Sequence, residues 1–168
     1  MYISRDRALG KEEMDHRIRR TGYVFDVEML LHHNPFPSDH PEQPTRVQAI
    51  HDRLSSQGLL QSSIKIPSRP ATIQELCSFH SPSYLQTINS LKEMGEEDLM
   101  VVGKQYDSIY LCGETPVSAG LAAGSTIALA TAIANGTVGN GFAIVRPPGH
   151  HAEHNQVCIL LLLCINLL

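Results

Sequence analysis

A chain of 168 residues is long enough for one ordinary domain with a real core and too short for two comfortable ones. Its formal charge of −4 excludes a general electrostatic footprint for nucleic acid. Cys77, Cys112, Cys158 and Cys164 form no Cys-x-x-Cys pair, so they read as reduced thiols rather than a disulfide framework or a structural zinc site. Residues 1–20 are polar and charged, without the apolar stretch of a signal peptide, and read as a flexible leader. Arg17, Arg19 and Arg20 keep that end solvated, or serve nuclear import.

Thr21 to Val27 has the aromatic and β-branched content of a first strand. Pro35 to Pro44 is dense in proline, so it is a loop of fixed shape carrying Asp39 and His40. It reads equally as the rim of a site or as a solvated linker. Thr45 is the expected N-cap of a helix bearing Val47, Ile50 and Leu54, with Gly58 near its end. Arg46 falls in that helix's first turn, where a cation gains nothing from the dipole; a carboxylate, nearby carbonyls or solvent must hold it. Ile64 to Pro67 is a brief strand, Thr72 opens a helix ending near Phe79 and His80, and Pro82 begins another with Tyr84, Leu85, Ile88 and Leu91 facing a core. His80 reads as structural or capping. Glu93, Glu96, Glu97 and Asp98 read as a solvated connection, followed by a small strand. Thr115-Pro116 starts a long helix whose Ala and Gly positions let backbone approach closely. The Asn135-Gly-Thr137 sequence is a turn behind it. The order of elements favours an α/β domain with a mostly parallel sheet.

Phe142 to Val145 then reads as a buried strand running into Pro147, Pro148 and Gly149, with His150, His151 and His154 directly behind. Imidazoles at the end of a strand suit a site at the carboxyl edge of a parallel sheet. Adjacent histidines point in different directions, so they suit two roles around one reacting centre better than one chelate. Cys158 to Leu168 is apolar nearly throughout, too short at about half of the roughly 20 residues that span a bilayer, and has the uncharged character of an aggregation-prone window.

Arg146-Pro-Pro-Gly-His-His-Ala-Glu153 closely resembles the double-histidine signature of zinc-dependent class II histone deacetylases, in the arginase/deacetylase superfamily. Three further stretches match that family in order: Thr21-Gly-Tyr-Val-Phe-Asp-Val27 with Met29-Leu-Leu-His32, then Asp39-His-Pro-Glu-Gln-Pro-Thr-Arg46, then Asp107-Ser-Ile-Tyr110 leading to Gly120-Leu-Ala-Ala-Gly-Ser125. His80-Ser-Pro-Ser-Tyr-Leu85 is a shorter echo. The resemblance covers residues 21–157 and leaves 158–168 as an atypical tail.

It implies an arginase/deacetylase-like, mostly parallel sheet flanked by helices, present as an incomplete N-terminal portion. It implies a nuclear or cytoplasmic enzyme that hydrolyses acetyl-lysine on histone tails or other proteins, with corepressor subunits as partners and no direct nucleic-acid or membrane binding. In such enzymes one zinc polarises the acetamide carbonyl and activates a water. His151 matches the main general base and His150 its partner. Arg46 matches an arginine lining the passage below the site, and Asp39 and His40 belong to the loop that shapes or supports the entrance. The family's Asp-x-His pair, its later zinc-ligand aspartate and its oxyanion donor have no counterpart in these 168 residues. Asp107 cannot stand in for them, and His16, His32 and His33 carry no spacing that argues for a metal. The expectation is therefore a family member by ancestry whose 168-residue chain has no zinc ligands and no activity. A non-catalytic fragment binding deacetylase-complex partners, and a fragment of an acetylpolyamine deacetylase, stand as alternatives.

Overall fold

Strands β1 (Thr21–Val24), β2 (Ile64–Lys65) and β3 (Asn140–Ala143) lie parallel in the order β2-β1-β3. The computed structural model describes residues 20–36, 40–106 and 109–149. The leader over residues 1–19 and the apolar run 158–168 lie outside them. The expected parallel sheet is present, with shorter strands: β1 stops at Val24 and gives way to a 3-10 turn over Val27–Leu31. Asp26 ends the strand by taking the Glu28 N–H onto its own carboxylate at 3.0 Å. β3 begins two residues before Phe142 and ends at Ala143, though the Ile144 amide still donates to the Val24 carbonyl at 3.0 Å.

Period-two alternation sorts the two faces. Val24, Ile64, Ile66, Ala143 and Val145 pack with Leu129, Ala132 and Val138 on one side. Tyr23, Phe25 and Ile144 pack with Val47, Ile50 and Leu54 on the other. Helix α1 (Pro44–Ser56) covers this second face. Its N-cap is Gln43 rather than the expected Thr45, and Pro44 sits in the first turn. A proline there brings the helical φ ready-made and lacks an N–H that would otherwise need a partner.

Helices α2 (Ile73–Cys77) and α3 (Pro82–Ser90) begin as the sequence indicates, on a Thr72–Glu75 capping box and on Ser81. The acidic run departs from expectation. Glu96, Glu97 and Asp98 form the first turn of helix α4 (Glu96–Gly103), where their charge complements the amide end of the dipole, and no strand follows among the described residues. Tyr84, Leu85, Ile88 and Leu91 are buried as the spacing demands, together with Leu99 and Leu111.

Helix α5 (Thr115–Ala134) covers the first face of the sheet. It is long and apolar enough to cross a membrane by length and composition, yet half of it is buried in the fold, as a crossover helix requires. Its small residues are needed for close approach. A Cβ on Gly124 would stand 2.2 Å from the Ala71 nitrogen, where the passing chain donates its Ala71 N–H to the Gly120 carbonyl at 2.8 Å. A Cβ on Gly141 would stand 2.6 Å from Leu129 Cδ1, so β3 and α5 touch through a bare backbone.

Candidate functional site

The chain leaves β1 toward β2 on one side and returns to β3 on the other, so the strand order reverses between β1 and β3. In parallel sheets the crevice outside the carboxyl ends at such a reversal is where ligands bind. Three segments meet there: the turn after β1 (Met29 to His32), the residues leading into α1 (His40 to Arg46), and Ile144 to Gly149 after β3.

Arg146 fills the meeting point and is fully buried. Its place follows from the alternation, since residues 142, 144 and 146 share the α1 side of β3. All five guanidinium N–H groups have acceptors. Nε donates to Glu42 Oε1 at 3.1 Å and Nη2 to Glu42 Oε2 at 2.9 Å, a bidentate fork. Nη2 also donates to the Tyr110 hydroxyl at 2.9 Å. Nη1 donates to the Met29 carbonyl at 2.9 Å and to the His32 carbonyl. Tyr110 in turn donates to Glu42 Oε2 at 2.7 Å. The Arg146–Pro147 peptide is cis.

Electrostatics agree with this geometry. Burial on its own would raise the Glu42 pKa, but the hydrogen bonds from Arg146 and Tyr110 and the guanidinium charge outweigh it and hold the carboxyl below its usual value. Burial, then the hydrogen bond to Glu42, pushes the Tyr110 phenol up, so it stays a neutral donor. His32 stacks on Tyr110 with ring centroids 4.7 Å apart, and its Nδ1 lies 3.0 Å from the Thr115 hydroxyl. Burial first, and the Arg146 charge second, lower His32 to about 3, so it is a neutral imidazole.

Arg46 and His40 both converge on this cluster. Arg46 Nη2 lies 3.6 Å from Glu42 Oε1 and donates to the Val145 carbonyl at 3.4 Å, which gives the cation at a helix start its carboxylate and its carbonyl. The Glu42 amide donates to His40 Nδ1 at 3.1 Å, and the His40 ring meets Tyr110 edge-on at 5.1 Å. Asp39, His150 and His151 lie outside the described residues. Beyond the cluster, a cavity of about 540 Å³ is lined by Asn34, Phe36 and His40 on one side, by Met100 of α4 and its C-cap Lys104 on another, and by Tyr110. Sequence reasoning missed Glu42, Tyr110 and His32 as partners of Arg146. The available signal was an arginine two residues beyond the core-facing Ile144, since an arginine at such a position needs a buried acid; Phe142, expected to be buried in the same strand, is instead 52% exposed.

Residues 40–158 match the Histone deacetylase domain family. The chain belongs to the histone deacetylase family. Its relatives include "Histone deacetylase clr3" of Schizosaccharomyces pombe, 36% identical over 152 residues that make up 86% of this chain and 22% of the relative. They also include "Polyamine deacetylase HDAC10" of Homo sapiens, 39% identical over 121 residues, 70% of this chain and 18% of the relative. Among solved structures, the crystal structure of the HDA15 HD domain superposes with a TM-score of 0.74 at 32% identity, covering 85% of this chain and 40% of that one. The chain thus spans about a fifth of the length of these curated relatives. The class II resemblance and the α/β architecture both stand.

This family is zinc-dependent, and the described residues do not fit the donor set that the resemblance implies for its zinc. Their one cluster with metal-ligand proximity is His33, Cys112 and Glu114, whose ligand atoms lie within 4.8 Å of one another. It offers a thiol, an imidazole and a carboxylate instead of two aspartates and a histidine.

Proposed function

We propose that this polypeptide carries the N-terminal scaffold of a lysine deacetylase, with His151 as proton acceptor and His150 as its partner, and that the 168 residues alone do not hydrolyse acetyl-lysine. The observation that supports the scaffold is the Arg146 cluster. It anchors the chain four residues ahead of His150, at the strand-order reversal, through the five N–H donors of one buried guanidinium. In the family, zinc supplies carbonyl polarisation. Here the aspartate ligands that the resemblance implies have no counterpart in the sequence, and the described residues offer no replacement of that chemistry. The protein substrate class is acetylated histone tails or other acetyl-lysine proteins, with a nuclear setting and corepressor subunits as partners.

Two assays test this reading. The purified 168-residue chain, given equimolar zinc and an acetyl-lysine peptide, is expected to release acetate at the buffer rate. Zinc-dependent turnover that disappears in His151→Ala would contradict it. Residues 21–157, exchanged for the matching part of the clr3 deacetylase, are expected to support acetyl-lysine hydrolysis that is lost in His151→Ala. A folded but inactive exchange protein would contradict the scaffold reading. The similarity to a polyamine deacetylase favours a second substrate class, so the same exchange protein is assayed on a mono-acetylated diamine. Preference for the diamine over the peptide would select that class.

A further inference from the structure

We infer that His33, Cys112 and Glu114 form a binding site for a thiophilic divalent cation, zinc in its biological form. The three side chains come from the end of the turn after β1 and from the tight turn before α5, segments separated by about eighty residues and brought together by the fold. Their ligand atoms lie within 4.8 Å of one another. Tetrahedral zinc bonds of about 2.0 to 2.3 Å place ligand atoms roughly 3.3 to 3.8 Å apart, so closure requires a movement of about 1 Å. The movable members are the exposed ones, His33 and Glu114, while Cys112 is buried and fixed.

The surroundings of each donor suit that role. The sulfur accepts the His33 backbone N–H at 3.4 Å, a bond that a metal-bound sulfur would keep, and it lies 3.5 Å from the Thr115 hydroxyl and 3.8 Å from the Leu31 carbonyl. Thr115 also accepts the Cys112 N–H at 2.9 Å, and its own N–H bonds the Cys112 carbonyl at 3.0 Å, so the turn presenting the sulfur is pinned twice. His33 Nδ1 lies 2.8 Å from the Leu31 carbonyl. A carbonyl only accepts, so Nδ1 carries the proton and Nε2 keeps its lone pair. That is the arrangement by which a ligating histidine is oriented through its second nitrogen. A thiolate with imidazole and carboxylate selects zinc or cadmium over magnesium or calcium, which prefer all-oxygen sites. On binding, the thiol proton leaves to solvent as the metal–sulfur bond forms. A loaded site ties the turn that supplies the Met29 and His32 carbonyls to the segment that carries Tyr110. It thereby clips two walls of the Arg146 cluster together.

The test uses the whole chain in a Cys77→Ser, Cys158→Ser, Cys164→Ser background, so that Cys112 is the one thiol. Cadmium is titrated and the ultraviolet thiolate-to-cadmium charge-transfer band is followed, with zinc as competitor. A band that saturates at one equivalent, vanishes in Cys112→Ser, and shifts to at least about tenfold weaker binding in His33→Ala and measurably weaker binding in Glu114→Gln is expected. Both of the latter side chains are exposed, so these variants keep the fold if Cys112→Ser does not, and circular dichroism verifies it. No band, or a band with an unchanged midpoint in both His33→Ala and Glu114→Gln, overturns the inference, because a lone thiol would then account for the binding.

Discussion

The described residues contain two bidentate arginine–glutamate pairs that differ in almost everything except their chemistry. Arg69 and Glu75 meet at 2.6 and 2.8 Å in a partly exposed position, where Glu75 also closes the capping box of α2. Arg146 and Glu42 meet at 2.9 and 3.1 Å with the guanidinium fully buried. Water and salt can replace the partner in the first pair, so its net worth is small. The second has no such substitute. Taking either member away leaves a desolvated charge, with orphaned acceptors where Arg146 is lost and orphaned donors where Glu42 is lost. The buried pair therefore specifies where the strand end must lie, and the exposed pair finishes a helix that packing already holds.

The largest effect is expected at the buried pair. Arg146→Met should lower stability by about 3 to 5 kcal/mol, read from the urea midpoint, because Glu42 and the Met29 and His32 carbonyls lose their donor together. Near the exposed pair, backbone packing outweighs charge. Gly124→Ala should cost about 3 kcal/mol, since its new Cβ would sit 2.2 Å from Ala71 N and 2.4 Å from the Arg69 carbonyl. Arg69→Ala, by contrast, should change the midpoint by no more than about 1 kcal/mol. If Arg69→Ala cost more than Gly124→Ala, the contrast between the two pairs would collapse.

Between these effects lies the response to acid. Folding lowers His32 from 6.5 to about 3, so its contribution is fully present above pH 6.5 and declines as the pH falls toward 3. The loss is about 1.4 kcal/mol per pH unit, or about 2 kcal/mol by pH 5. Glu42, held below 4.5, adds a loss of the same sign at more acidic pH. A His32→Phe variant should flatten the dependence of the urea midpoint on pH between 6.5 and 5. An unchanged slope would show that the imidazole titrates freely in the folded chain.

Local signals were the legible ones. Ser81, Thr72 and Pro116 mark helix starts through capping chemistry that acts within a few residues, and the structure keeps all three. The parallel sheet was legible from the alternation of strand and helix, and the family from motifs in order. What could not be read was set by longer reach. Glu96, Glu97 and Asp98 look like a solvated run until the dipole of α4 gives them a use. Thr45 is not the cap because the helix starts two residues earlier than expected, with Gln43 at the cap and Pro44 supplying the first turn. Glu42 and Arg146 stand 104 positions apart, and no local spacing announces that one neutralises the other. His33 and Cys112 are hidden from each other in the same way.

The most direct test of the buried cluster is a double-mutant cycle of Arg146→Met and Glu42→Gln, with stabilities taken from urea denaturation at neutral pH. A coupling of about 2 kcal/mol or more is expected, the double variant being little worse than the poorer single one. Single losses that add within about 0.5 kcal/mol would contradict the claim that this pair acts as one unit to hold the strand end in front of His150 and His151.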